Sequence, residues 1–69
     1  MHLGRVDQRS DGDWTGELVY GRGEDEVVTL ALDTRTSCFA AREFVDEKAH
    51  EARLRPMSAW TGGSRRVYE

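Results

Sequence analysis

The chain of 69 residues has one cysteine, one proline, one lysine and no long run of apolar residues. A lone cysteine excludes an internal disulfide, and with two histidines the chain offers no Cys/His set at zinc spacing. No stretch approaches the ~20 apolar residues that span a bilayer, and no apolar signal-peptide segment follows the N-terminus. We therefore expect no metal, no cofactor, no membrane and no disulfide, and the free thiol favours the reducing cytoplasm.

The apolar residues of the chain are enough for one small hydrophobic core. A chain of this length buries only about 60% of the surface that its unfolded form exposes. We predict a single α+β domain over residues 1–69, with a β-β-β-α core at 1–57 and a C-terminal hairpin or tail at 58–69. So small a core gains stability from a partner, and homodimer formation is one open alternative. Nine of the ten basic residues are arginine, as in GC-rich genomes, which points to a high-GC bacterium, its phages or its plasmids, and we expect a chain encoded by a phage or mobile element.

The period of the apolar residues changes from two to about three and a half within residues 26–54. Residues 26–32 alternate as a strand does, and residues 38–54 follow a helical period. Two earlier segments, 3–7 and 14–20, also predict strands, and short loops join all three. The sequence therefore predicts a three-stranded antiparallel meander with one helix packed on one face, plus a C-terminal hairpin or tail.

The predicted core has a bulky sheet side and a small helix side. Four large residues of the sheet are expected to face the helix: Trp14, Leu18, Leu30 and Leu32. The helix stripe at 100° per residue comprises Cys38, Ala41, Val45, Ala49 and Ala52, with Phe44 on its flank. Val19, Val27 and Ala31 then lie on the other sheet face, which is either covered by the C-terminal segment or exposed as a binding or dimer surface.

The helix has a start signal, a stop signal and a thiol. Thr36 or Ser37 can cap its first turn, and Pro56 prevents its continuation. Cys38 lies at the helix N-terminus, where a thiolate is favoured. His50 is twelve residues away, roughly 18 Å along the axis, so the two cannot form a catalytic dyad. We interpret Cys38 as a packed residue and predict no catalytic residues.

Three acidic residues in the loop before the third strand, Glu24, Asp25 and Glu26, form the predicted contact for a protein partner. The outer helix face is also acidic, and the C-terminal aromatics Trp60 and Tyr68 complete the predicted protein-binding residues. The alternative is a nucleic-acid site, because the second half of the chain concentrates arginine near these two aromatics. Its residues are Arg53, Arg55, Arg65, Arg66, Trp60 and Tyr68.

Residues 12–54 resemble a known DNA-binding layout. The run Gly12-Asp13-Trp14-Thr15-Gly16-Glu17-Leu18, a third strand, and Ser37-x-x-x-Ala41-x-x-Phe44 on a helix are similar to the arm-type DNA-binding domain of tyrosine recombinases. The plant ethylene-response DNA-binding domains share this layout. The resemblance implies a helix on one face of a three-stranded sheet, with the other face laid into the major groove of DNA.

The far sheet face differs from that of these families in its charge. It offers Thr15, Glu17 and Val19 where those families carry arginine and lysine. We therefore predict a small non-enzymatic binding module that docks on another protein, with nucleic-acid binding as the alternative.

Overall fold

The computed structural model describes residues 1–21 and 26–69. Its elements are β1 (His2–Gln8), β2 (Trp14–Gly21), β3 (Val27–Arg35), α1 (Cys38–Glu51) and β4 (Arg65–Tyr68). The strands form one antiparallel sheet in the order β3-β2-β1-β4, and α1 packs on one of its faces. The predicted α+β class, with a three-stranded meander and one helix, is confirmed.

The C-terminal segment adds a fourth strand to the meander. β4 pairs with β1, so that Tyr68 lies opposite His2. Gly62 and Gly63 have φ angles of 58° and 81°, and their turn brings Thr61 beside Arg65. Positive φ angles favour glycine, so the Gly-Gly pair explains why the chain reverses here.

The outer edge of β4 is covered by the segment that follows the helix. Arg55 and Glu69 exchange two backbone hydrogen bonds of 2.8 Å, and the Met57 amide donates to the Val67 carbonyl at 2.8 Å. One edge of the sheet is therefore hydrogen-bonded by residues 55–57. The opposite edge of the sheet is β3.

The helix begins where the sequence predicts and ends earlier. The Ser37 hydroxyl accepts a hydrogen bond from the Ala40 amide at 3.0 Å, which is the N-cap interaction expected of a serine. The predicted end at residue 54 is wrong, because α1 stops at Glu51 and Arg53 takes a left-handed φ of 60°. As a result, Ala52 lies outside the helix and is exposed.

Two glycines let the helix lie close to the sheet. A Cβ on Gly4 would lie 2.6 Å from Val45 Cγ1, and a Cβ on Gly16 would lie 2.6 Å from the Ala41 carbonyl oxygen. Both distances are shorter than real Cβ contacts. The small-residue stripe of α1 therefore packs against a sheet face that also has small residues.

The core lies between these two surfaces. Its buried residues are Val6, Leu18, Ala41, Phe44, Val45, Ala49 and Tyr68. Trp14 and Cys38 pack against its margin. The predictions for Leu18, Trp14 and the helix residues 41, 44, 45 and 49 are thus confirmed.

The prediction for β3 is wrong in its second half, because the strand contains a β-bulge. Leu18 pairs with Ala31, whereas the next residue of β2, Val19, pairs with Thr29, so Leu30 is an extra residue. A bulge shifts the alternation of side chains by one. Ala31, predicted on the far face, therefore packs against the core, and Leu30 and Leu32, predicted in the core, are 50% and 60% exposed.

Candidate functional site

The strand β3 carries four of the seven large apolar residues that are exposed in the described part of the chain. Within residues 1–21 and 26–69, β3 pairs with β2 alone. Four of its large apolar side chains are exposed: Val27, Val28, Leu30 and Leu32, at 45%, 57%, 50% and 60%. Natural edge strands commonly carry lysine or proline, which discourage pairing with another chain. Residues 27–32 carry no charge and no proline. The β3 edge therefore has none of the features that prevent an edge strand from pairing with another chain.

The bulge divides β3 into two registers of side chains. Cross-strand partners share a sheet face, and the partners of Val28, Ala31, Asp33 and Arg35 are Tyr20, Leu18, Gly16 and Trp14. These four β3 residues therefore lie on the helix side. Val27, Thr29, Leu32 and Thr34 lie on the far face, since they pair with the odd-numbered residues of β2.

Arg35 ends β3 on the helix side. Its Nε donates to Asp33 Oδ2 at 2.9 Å, and its guanidinium carbon lies 5.1 Å from the centre of the Phe44 ring. The side chain is 40% exposed, so this arginine is held in place and still reaches solvent. It supplies a positive charge at one end of the β3 edge.

On the sheet face away from the helix, Glu17 forms hydrogen bonds with side chains of both neighbouring strands. Glu17 Oε1 accepts from Arg5 Nε at 2.6 Å, and its Oε2 accepts from the Thr29 hydroxyl at 2.8 Å. Partial burial alone would raise the pKa of Glu17, but these two hydrogen bonds and the Arg5 charge outweigh it and hold the pKa below its ordinary value. Val19, on the same face, is only 2% exposed. This face is therefore ordered by side-chain contacts across three strands.

The predicted acidic contact is placed only in part. Glu24 and Asp25 lie outside the described residues, whereas Glu26 is described and exposed. Glu26 directly precedes Val27, so it stands at the N-terminal end of the β3 edge. The acidic residue and the apolar edge are therefore neighbours in one surface.

The predicted aromatic contacts lie around one carboxylate of the helix. Asp46 accepts hydrogen bonds from the Tyr68 hydroxyl, from Trp60 Nε1 at 3.4 Å and from Arg66 Nη1 at 3.1 and 3.2 Å. Tyr68 is 3% exposed and belongs to the core, while Trp60 is half-buried. Little of the Tyr68 ring is left for a partner in the described conformation, and its docking or stacking role stays a prediction. Its structural contribution is to fasten β4 to α1.

The environment of Tyr68 favours its neutral form. Burial raises its pKa most, and the hydrogen bond to Asp46 and the negative charge of that carboxylate raise it further. The Arg66 guanidinium opposes this rise and does not cancel it. A phenol in this setting remains a hydrogen-bond donor throughout the neutral range.

The predicted arginine set is divided between two settings. Arg66 binds Asp46 and donates its Nε to the Ser58 carbonyl at 3.0 Å, so it is part of the same network. Arg53, Arg55 and Arg65 are exposed. Of the predicted arginines, these three are therefore the ones that a nucleic acid could contact without breaking the Asp46 network.

Cys38 is a half-buried residue at the start of α1. Its Sγ lies 3.8 Å from the Gly63 carbonyl, an oxygen that also accepts from Arg42 Nε at 2.7 Å. Both contacts join the helix to the Gly-Gly turn. Nowhere in the described part of the chain do three His, Cys, Asp or Glu side chains come together as metal ligands would.

A shallow groove lies at the β4 side of the sheet, away from the β3 edge. It has a volume of about 510 Å³ and is lined by Met1, His2, Met57, Val67, Tyr68 and Glu69. Met1 and Met57 are largely exposed, so the groove has flexible apolar walls. It adjoins the predicted C-terminal contact and is distinct from the β3 edge.

The sequence did not single out Leu30 and Leu32 as surface residues. The available signal was that the odd-numbered and the even-numbered residues of 27–32 are all apolar or small, which is unusual for a strand with only one buried face.

None of the described helices is both long and apolar enough to cross a membrane. Comparison with known proteins gave no match, either to a family model or to a curated protein or solved structure.

Proposed function

We propose that this chain is a small, non-enzymatic cytoplasmic binding module that docks on another protein, with the β3 edge as its docking surface. One observation carries the proposal: within residues 1–21 and 26–69 β3 pairs with a neighbouring strand on one side only, and it also exposes four large apolar residues. Strand addition uses both features, because the backbone groups supply affinity and the side chains supply selectivity. An origin in a phage or mobile element, which we also propose, is compatible with such an accessory role.

The energetic scale is adequate for docking. Full burial of one Leu or Val side chain contributes about 1.5–3 kcal/mol, and these side chains are about half exposed in the free chain. Association costs on the order of 4–15 kcal/mol in lost translational and rotational freedom. The apolar side chains alone therefore give weak binding, and the backbone hydrogen bonds of an added strand supply the remainder.

The proposal is non-enzymatic because the reactive side chains are dispersed. Cys38 and His50 lie near opposite ends of the 14-residue helix, roughly 18 Å apart. Asp46, the most heavily bonded carboxylate, is used by three C-terminal side chains. A nucleophile, a base and an orienting group within hydrogen-bond reach are the minimum for covalent catalysis, and the described residues 1–21 and 26–69 bring no such set together around Cys38.

The test uses a matched pair of exposed apolar residues. Phe39 is 68% exposed on α1, and Leu30 is 50% exposed on β3. Tagged wild type, Leu30→Lys and Phe39→Lys should be expressed in the native host and their bound proteins identified. We expect one protein retained by wild type and Phe39→Lys and lost by Leu30→Lys. A partner that Leu30→Lys retains at the wild-type level would refute the docking surface.

A second contact is proposed at Glu24, Asp25 and Glu26, because these carboxylates adjoin the β3 edge in sequence. Reversing all three to lysine should weaken capture of a basic partner and leave the fold unchanged. The matched control reverses Glu43, Glu47 and Glu51, which are exposed on α1. Equal effects of the two triple variants would show that only net charge matters.

The alternative function, nucleic-acid binding, relies on the exposed Arg53, Arg55 and Arg65. Contacts to phosphates weaken steeply as salt rises. Fluorescence anisotropy with labelled duplex and single strands at about 50 mM salt tests this alternative. Binding that falls steeply with salt and is lost in a triple Arg→Ser variant would support it, and the absence of binding would exclude it.

A further inference from the structure

We propose that the β3 edge docks a second copy of this chain, so that two sheets join in antiparallel fashion along β3 about a twofold axis perpendicular to the sheet. This inference rests on the proposed function of the β3 edge and names its occupant. A twofold axis pairs each β3 residue with a β3 residue of the second copy so that the two residue numbers always add up to the same sum, and this sum defines the register. In the register that we infer, the sum is 61. Thr29 then faces Leu32 of the second copy, and Glu26 faces its Arg35.

The bulge selects this register in two steps. A twofold axis perpendicular to the sheet keeps each residue on its own face, and opposing residues must share a face. An unbroken strand would satisfy this only for even sums. The extra residue Leu30 shifts the alternation by one, so that pairs taken from opposite sides of the bulge match only when the sum is odd.

Sheet face and charge together distinguish the odd registers that remain. A sum of 63 places Ala31 against Leu32, which lie on opposite faces. A sum of 59 matches faces but places Glu26 against Asp33, and two carboxylates directly opposite are unfavourable. A sum of 61 spans the full strand and places Glu26 against Arg35 at both ends. This is the register in which faces and charges agree.

The central part of the contact is also uncharged. The chain carries a net charge of −3, but residues 27–32 carry none. Asp33 is already bonded to Arg35 within its own chain. Two copies can therefore approach at the β3 edge although their remaining surfaces repel weakly through salt solution.

Association should stop at two copies. A twofold contact uses the same edge of both chains and is closed. The remaining edge of each sheet, β4, is hydrogen-bonded by residues 55–57. The product is a continuous eight-stranded sheet with a helix from each copy on one side, rather than a growing fibre.

The first experiment measures mass against concentration by sedimentation velocity, with circular dichroism to establish that each variant is folded. We expect wild type and Phe39→Lys to form dimers, and Leu30→Lys to remain monomeric over the same range. A wild type that stays monomeric at the highest concentration reached would overturn the inference. A dimer unaffected by Leu30→Lys would overturn it as well, because another surface would then hold the copies together.

The second experiment tests the register by exchanging charges. Glu26→Lys alone should weaken self-association about tenfold, as should Arg35→Glu alone, since each change creates two like-charge contacts. An equimolar mixture of the two variants restores both opposite-charge contacts and should form a mixed dimer close to wild-type strength. Glu47→Lys, which changes the net charge equally on α1, should have little effect. Failure of the mixture to recover would reject the register.

The two proposals fail in distinguishable ways. If wild type is monomeric while Leu30→Lys still abolishes capture of another protein, the second copy is the wrong occupant and the β3 edge remains a docking surface. If Leu30→Lys changes neither self-association nor capture, the β3 edge has no docking role and both proposals fail.

Discussion

The Tyr68 hydroxyl on β4 donates a hydrogen bond to the Asp46 carboxylate on α1. The same carboxylate binds Arg66 Nη1 and Trp60 Nε1, so one side chain of the helix holds three of the last ten residues. β4 has only four residues and pairs with β1 on one side. The C-terminal strand is therefore fixed on two sides: its pairing with β1 joins it to the sheet, and Asp46 joins it to the helix.

A double-mutant cycle should detect this relationship. Asp46→Ala leaves a buried phenol without its acceptor, which typically costs about 1–3 kcal/mol of unfolding free energy. In a Tyr68→Phe background the same change should cost less, because no hydroxyl is left unpaired. Urea unfolding of the four proteins gives the coupling, expected at about 0.5 kcal/mol or more. Glu43→Ala, an exposed carboxylate on the same helix, is the control, and strictly additive costs would contradict the network.

The raised pKa of Tyr68 predicts a loss of stability at alkaline pH. Its folded pKa lies above the ordinary value of 10.0, so its contribution is complete below pH 10 and is lost as the pH rises from there toward the folded value. The unfolded chain then releases the proton more readily than the folded chain. Urea midpoints measured upward from neutral pH should fall less in Tyr68→Phe than in wild type. Tyr20→Phe should retain the wild-type slope.

The close approach of α1 to the sheet at Gly16 predicts a costly methyl group. A Cβ there would meet the Ala41 carbonyl oxygen, which is backbone and cannot rotate away. Gly16→Ala should therefore destabilise the fold by about 1–3 kcal/mol, as overpacking does. Thr15→Ala, one residue earlier on the far face, should change stability much less. Equal unfolding free energies for the two variants would show that the helix can move off the sheet.

The elements set by local signals were predictable from the sequence. The Ser37 cap and the stripe of Ala41, Val45 and Ala49 are specified within a few residues, because capping and helical period act locally. The bulge at Leu30 was not predictable. Both parities of 27–32 are apolar or small, so the pattern looks the same before and after a shift of one residue.

The Asp46 network was hidden for a different reason. Its hydrogen bonds join residues that are 14 to 22 positions apart in the chain. In the sequence, Asp46 looks like one more acidic residue on the solvent-exposed face of the helix. Whether residues 65–68 would form a strand depended on β1 offering an edge 60 or more positions away. Such pairings are decided by the assembled sheet rather than by local propensity.

The lowered pKa of Glu17 predicts that the far face weakens in acid. A carboxyl group whose folded pKa is below its ordinary value of 4.5 stabilises the fold above that pH, and the contribution is lost as the pH falls through the folded value. Glu17→Gln should therefore be less stable than wild type at pH 7, by about 1 kcal/mol at most because the contact is partly solvated. The difference should shrink as the pH falls below the ordinary value of 4.5, in urea unfolding followed by circular dichroism. Glu43→Gln, which removes an exposed carboxylate of α1, should show no such convergence, and a wild-type advantage that persists undiminished in acid would contradict the assignment to Glu17.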